Sequence, residues 1–248
     1  MSATNVICRI DRPAVATGTF ATAMIASSQQ PIRTYLPAAY ERRYAYPLVV
    51  FFHSDGGNEE AAAAVAPKLS DRNFIGLGLR GPQSLGMTDD GSAGYGWDGA
   101  TTDDLEEYVV RAVEQTRREY HVHSERIYFA GIGNGATAAF RAGFRLANRI
   151  AGIASLNGPF PTAEPGQPLF RMPDVRKLKV LIGHGTSNSE TCVNEAERAY
   201  RLMYAAGANV RYLTYATNMT ISNDMLQDVN RWIIGNLNAE TDKLILAR

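Results

Sequence analysis

The sequence predicts an α/β protein, a doubly wound, mostly parallel central sheet with helices on both faces. Three observations carry that prediction. Short apolar runs of strand length alternate with longer amphipathic segments of helical period along most of the chain, which is the signature of β-α-β units. The run PLVVFFH at residues 47–53 is almost continuously apolar, as a strand buried on both faces requires. Finally, RIYFAGIGNG at residues 126–135 ends an apolar run in closely spaced glycines and enters an alanine-rich segment at 136–147, reading as strand, tight turn, helix. A chain of 248 residues with 45% hydrophobic content fills one large domain with a full core. We read residues 1–18 as an N-terminal arm, 19–237 as a single domain and 238–248 as a C-terminal tail.

The elements follow in order. Residues 20–27 and 31–36 are β-compatible runs around Ser-Ser-Gln-Gln and predict a hairpin at the sheet edge. After the strand at 47–53, residues 59–69 predict a helix and 73–79 a second buried strand. Residues 80–97, rich in glycine and polar side chains, predict a long loop of the kind that carries function. Residues 98–120 predict one long helix, with Leu105, Val109, Ala112, Val113 and Thr116 near a 3.6-residue period. Its TTDD start supplies capping and acidic residues, and Arg117 with Arg118 suits its C-terminal end. His121 and His123 predict a solvated turn. Residues 150–156 predict a strand, 157–173 a proline-rich loop over the carboxyl edge of the sheet, and 179–183 a further strand. Residues 195–206 predict a helix, 210–215 the last strand, and 222–236 a helix burying Met225, Leu226, Val229, Trp232 and Ile233.

Composition excludes several function classes. Lys+Arg and Asp+Glu are equal at 25 each, so no net field favours nucleic acid or an anionic membrane surface. The N-terminus lacks the basic start and apolar core of a signal peptide, and no run approaches the ~18 apolar residues of a membrane span. The expected location is the cytoplasm. Cys8 and Cys192 lack metal-ligand spacing and are expected as free thiols. No metal and no cofactor are expected.

The segments LVVFFHSDGGNE, RIYFAGIGNGATAAFR, IAGIASLNGPFP, VLIGHGTSN and YATNMTISNDMLQDVNRWI together resemble the α/β-hydrolase superfamily, in its phospholipase/carboxylesterase or polyhydroxybutyrate depolymerase-like esterase branch. The resemblance spans residues 47–234 and implies the α/β-hydrolase fold. It places the family's nucleophile serine, in a G-x-S-x-G elbow, at Gly133. The acid, in HGTxD, falls at Asn188, and the histidine after the last strand at Met219. The chain order of this fold is nucleophile, acid, histidine, and the chain has no histidine after His184. The resemblance therefore implies an elbow without its nucleophile, base or orienting carboxylate. The family's H-G-x-G-G turn corresponds to His53-Ser54-Asp55-Gly56-Gly57, leaving Ser54, Asp55 and Asn134 as a remnant oxyanion hole with the Asp55 carboxylate beside it.

Three functional readings follow. The first is a catalytically inactive esterase homologue that binds a small molecule or a protein partner through the remnant cleft. The second is a carboxylic-ester hydrolase with relocated groups, His53 or His184 serving as base toward Ser54, Ser187 or Ser189. The third is a structural subunit paired with an active paralogue. Both histidines also correspond to residues that orient backbone next to glycines in the resembled family. Tyr95, Trp97 and Phe160, aromatics of the loops above the sheet, are expected with His53 and His184 to line the pocket.

Overall fold

A computed structural model of the chain describes residues 18–25, 30–89, 91–161 and 173–246. Among the described residues the central sheet has eight strands in the order β1-β2-β4-β3-β7-β8-β9-β10. Its first members, β1 (Phe20–Ile25) and β2 (Gln30–Tyr35), form an antiparallel pair, as the edge hairpin predicts, and β2 runs antiparallel to β4 (Ile75–Leu79). From there the sheet is parallel, through β3 (Tyr46–Phe52), β7 (Val122–Ile132), β8 (Gly152–Leu156), β9 (Lys179–Gly185) and β10 (Asn209–Tyr215). Residues 1–17 of the predicted N-terminal arm, Cys8 within it, and residues 162–172 of the proline-rich loop lie outside the described residues.

Side chains alternate across the sheet and build two cores. On β3, Leu48, Val50 and Phe52 join the core under α3 (Thr102–Glu119), α4 (Asn134–Arg145) and α5 (Val193–Ala205). Val49 and Phe51 face the opposite core, roofed by α1 (Glu59–Ala63), α2 (Ala66–Leu69) and α6 (Asn223–Leu246). A strand covered on both faces can be apolar at every position, which is why residues 47–53 read so plainly. The doubly wound α/β class is therefore observed. Helix α3 is held at its start by a capping box, Thr101 accepting from the Asp104 N–H and Asp104 accepting from the Thr101 N–H. Its five predicted inward residues are all buried.

Some elements differ from expectation. The segment at 59–69 forms two short helices, with Pro67 in the first turn of α2, where its missing N–H costs nothing. Residues 80–97 are not one loop but carry a two-stranded antiparallel hairpin, β5 (Gln83–Met87) and β6 (Ala93–Gly96). His123 lies within β7 rather than in a turn. Helix α6 runs to Leu246, so residues 238–246 of the segment read as a tail continue the last helix.

Candidate functional site

The parallel strands end together at one edge of the sheet, and the loops leaving β3, β7, β8, β9 and β10 carry almost every residue singled out above. At the centre is the turn from β7 into α4. Gly133 adopts φ 54° and ψ −131° as N-cap of α4, a backbone conformation that L side chains rarely take. Close packing demands its neighbour as well, since a side chain at Gly135 would come within 2.3 Å of the Phe52 and His53 carbonyl oxygens. The strained elbow geometry is thus present with no side chain at its tip. The space above it is taken from the β3 side, because a Cβ added at Gly133 would stand 3.1 Å from Ser54 Cβ.

Beside Ser54, Asp55 accepts a short hydrogen bond from Asn134 Nδ2. A carboxylate is thereby held at the N-terminus of α4, where the first-turn N–H groups lack intrahelical partners and the helix dipole favours negative charge. Ser54, Asp55 and Asn134 lie together at this turn, with the Asp55 carboxylate at the start of α4. Ser54, Asp55 and Asn134 are all exposed.

His53 is buried and both of its ring nitrogens are engaged. The Gly81 N–H donates to Nε2 at 2.9 Å, so Nδ1 carries the proton and donates to the Ser54 carbonyl at 2.7 Å. Burial holds this imidazole below its ordinary range, against the pull of Asp55 and Glu59. Trp97 closes over it, its ring 4.9 Å from the imidazole and its Nε1 donating to the His53 carbonyl at 2.8 Å. Trp97 is therefore a core residue, also packed on Phe52, and not the pocket wall the sequence suggests. Tyr95 is half-buried beneath Arg80, whose guanidinium lies 4.5 Å from the ring centroid. Arg80 in turn forms a two-pronged pair with the buried Glu59, both contacts at 2.6 Å. Phe160 packs on Phe140 and Phe144 with centroids 4.9 and 6.0 Å away, an aromatic cluster over α4.

The other half of the edge is tied by amides. Asn157 is buried at φ 55°, a left-handed position that Asn tolerates better than most residues. Its Oδ1 accepts from the Gly185 N–H at 2.7 Å and its Nδ2 donates to the Asn218 carbonyl at 3.4 Å. Asn188 Nδ2 donates to the Asn157 carbonyl at 3.2 Å, while its Oδ1 accepts from the N–H groups of Glu190 and Thr191 at 2.9 and 3.1 Å. The loops after β9 and β10 run side by side, Ser187 N–H donating to the Thr217 carbonyl at 3.0 Å. Met219 sits in the second of them, 43% exposed. His184 is fully buried, its Nε2–H donating to the Thr191 carbonyl at 2.8 Å, while its Nδ1 is buried and has no hydrogen-bond partner among the described residues.

The sequence reading did not single out Asn157, although the Asn-Gly pair ending an apolar run signals a left-handed turn. Cavities of about 610, 250 and 450 Å³ lie along α3, the first over Thr101, Thr102 and Arg141, and none of the three includes Gly133, Asn188 or Met219. Among the described residues no three potential metal ligands cluster, and no helix is long and apolar enough to cross a membrane.

No family model matches the chain. A stretch of 63 residues is 32% identical to the bifunctional acetylxylan esterase/xylanase XynS20E of Neocallimastix patriciarum, covering 25% of this chain and only 9% of that protein's length. Among solved structures, a carboxylesterase from Mesorhizobium loti superposes with a TM-score of 0.67 at 18% identity, over 86% of this chain and 99% of that one. The acyl-protein thioesterase 2 of Zea mays superposes with a TM-score of 0.62 at 15% identity, over 83% and 98% of the respective chains. The chain has the α/β-hydrolase fold, in the form seen in carboxylesterases and acyl-protein thioesterases.

Proposed function

We propose that this chain is a catalytically inactive esterase homologue that holds a small molecule or a protein partner at the former catalytic edge and does not cleave it. The observation that carries the reading is the elbow itself. Gly133 keeps the backbone geometry that presents a nucleophile, yet has no side chain, and Ser54 packs 3.1 Å from where one would begin. Asn188 and Met219 supply no carboxylate and no imidazole at the partner positions, so the acyl-enzyme route lacks all three of its groups. The reading needs no cofactor and no metal.

Hydrolysis by relocated groups fits less well. His53 spends one nitrogen on the Gly81 N–H and the other on the Ser54 carbonyl, and a base so engaged cannot take a proton from Ser54 without breaking the turn. His184 is sealed from solvent. The esterase and thioesterase names of the similar proteins supply the substrates to test first, namely short acyl esters and acyl thioesters. Purified protein is expected to leave both unhydrolysed and to resist labelling by a serine-directed fluorophosphonate. Turnover that persists after rigorous removal of host esterases, and that falls with His53→Gln, would establish the relocated mechanism instead.

A further inference from the structure

Strand β10 forms one end of the eight-stranded sheet and pairs there with β9 alone. The ladder is parallel and runs from Asn209 to Tyr215 without a bulge. The Asn209 N–H donates to the Leu178 carbonyl, and the Tyr215 carbonyl accepts from the Thr186 N–H. In a parallel pair, residues bonded to the neighbouring strand alternate with residues whose N–H and C=O point away from it. Asn209, Arg211, Leu213 and Tyr215 therefore direct their backbone groups to β9, and Val210, Tyr212 and Thr214 direct theirs to the open edge. Those outward groups have no partner among the described residues.

Natural sheets blunt such an edge with lysine, proline, a bulge or a very short strand. β10 uses none of these: its seven residues, NVRYLTY, carry a single charge, on Arg211. Beside it α5 leaves an aromatic surface uncovered. Tyr200 stacks on Tyr212 with centroids 5.8 Å apart and planes at 24°. Tyr204, whose ring lies 6.1 Å from that of Tyr200, is 68% exposed.

This edge is complementary to itself. Two β10 strands set antiparallel about a two-fold axis at Tyr212 place Val210 opposite Thr214 of the second copy, and Tyr212 opposite its own counterpart. All of these are hydrogen-bonded pairs, so every outward N–H and C=O of both strands finds a partner. A slip of two residues leaves some of them unpaired, and a slip of one sets them against groups already bonded to β9. The side chains agree with this register. Val210 and Tyr212 pack on the core beneath α5, and the axis brings together an aromatic pair flanked by Val–Thr pairs, combinations that stabilise antiparallel strands. On the other face Arg211 stands diagonally across from Tyr215 of the second copy, a separation that a long side chain spans. The Tyr215 hydroxyl donates to Asp228 at 2.8 Å, so the one charge of the strand reaches toward a carboxylate. Arg231 already pairs with Asp228, but a carboxylate has lone pairs for further donors.

We infer that the chain forms a two-fold dimer through β10, with one sheet continuous across both copies and α5 of each beside the axis. The closed contact removes an edge that would otherwise recruit further chains. The inference is independent of the proposed function, because β8 and β9 separate β10 from the elbow strand β7.

The test combines sedimentation equilibrium of the intact chain over a dilution series with amide hydrogen exchange. A dimer is expected, with the Val210, Tyr212 and Thr214 amides protected in it and exchanging fast once dilution gives the monomer. Thr214→Pro removes an outward N–H and no bond to β9, a position where an edge strand accepts proline, and is expected to yield a folded monomer. Arg211→Glu changes an exposed side chain, leaves the backbone intact and brings carboxylates together, so association should weaken by about tenfold or more; this variant decides the matter if Thr214→Pro does not fold. A chain that stays monomeric at every concentration overturns the inference. So does a dimer in which those three amides exchange as fast as in the monomer, or a folded Thr214→Pro or Arg211→Glu variant that associates as tightly as the parent.

Discussion

Restoring a side chain at the elbow tests the structural account most directly. Gly133→Ala forces an L residue into φ 54°, ψ −131°, a sparsely populated region whose occupation costs on the order of 1–3 kcal/mol. Its Cβ arrives 3.1 Å from Ser54 Cβ, inside the ~3.5–4.0 Å optimum for two carbons, so Ser54 must give by a few tenths of an ångström. Strain is the larger part and contact the smaller. Gly133→Ala should therefore lower stability by roughly 1–3 kcal/mol, a Tm loss of about 2–4 °C for each kcal/mol in a chain of this size. Ser54→Gly relieves the contact but not the strain. In that background the same substitution should cost less by about 0.5–1 kcal/mol, at the low end of couplings between touching residues. Urea and thermal unfolding of the four proteins in the cycle give both numbers. If Gly133→Ala is as stable as the parent, or if the two changes add without coupling, Ser54 does not fill the nucleophile's space and the reading of the elbow fails.

The remaining predictions concern the residues around it. Combining Gly133→Ser, Asn188→Asp and Met219→His should yield measurable hydrolysis of short acyl esters only when Ser54→Gly is added, because the new hydroxyl otherwise meets Ser54; equal activity with Ser54 present would contradict this. Burial lowers the His53 pKa in the folded state, so the unfolded chain takes up the proton first as pH falls. The associated stability is present above the ordinary imidazole pKa of about 6.5 and is lost as pH drops below it. Denaturation midpoints measured across that window should fall toward acid, and the slope should flatten in His53→Gln; an unchanged slope would locate the effect elsewhere. Arg80→Leu leaves the buried Glu59 carboxylate without its counter-charge and should cost about 3 kcal/mol, toward the low end for breaking such pairs because Arg80 is partly exposed. Adding Glu59→Gln should recover part of that loss in the same urea assay. Asn157→Ala removes the side-chain hydrogen bonds to Gly185, Asn218 and Met225 and a residue type that tolerates φ 55° better than alanine does, with an expected cost of about 2–4 kcal/mol. Amide exchange should then quicken in the loops containing Asn188 and Asn218.

Much of the fold is legible in the sequence because burial on two faces leaves a strong local mark. Val49 and Phe51 serve one core while Leu48, Val50 and Phe52 serve the other, so the run is apolar throughout and its identity does not depend on context. The same holds for α3, where a capping box and a regular apolar stripe agree. The hairpin β5–β6 leaves no such mark. Every residue of β5 is exposed, so no alternation is imposed, and its place is set by backbone pairing to Gly56 and Gly57. Helix α6 extends past its predicted end at residue 236 to Leu246, since a glycine within a helix costs only about 1 kcal/mol and no proline follows. Side-chain direction is the other gap. Trp97 and Phe160 lie in loops above the sheet, as read, but whether an aromatic in a loop faces a cleft or the core depends on partners distant in the chain, here His53 and Phe140. The roles of Ser54 and Asn157 are hidden for the same reason, since each acts on residues more than twenty positions away.

The amides joining Asn157, Asn188 and Asn218 have a consequence for solution behaviour. In an acid–histidine pair the shape of the edge is coupled to proton uptake, because the hydrogen bond between the partners changes with their charge. The bonds that hold this part of the edge run between amides and backbone, and neither kind of group titrates across the physiological range. The amides that join the three loops therefore do not themselves respond to pH between mildly acid and mildly alkaline conditions.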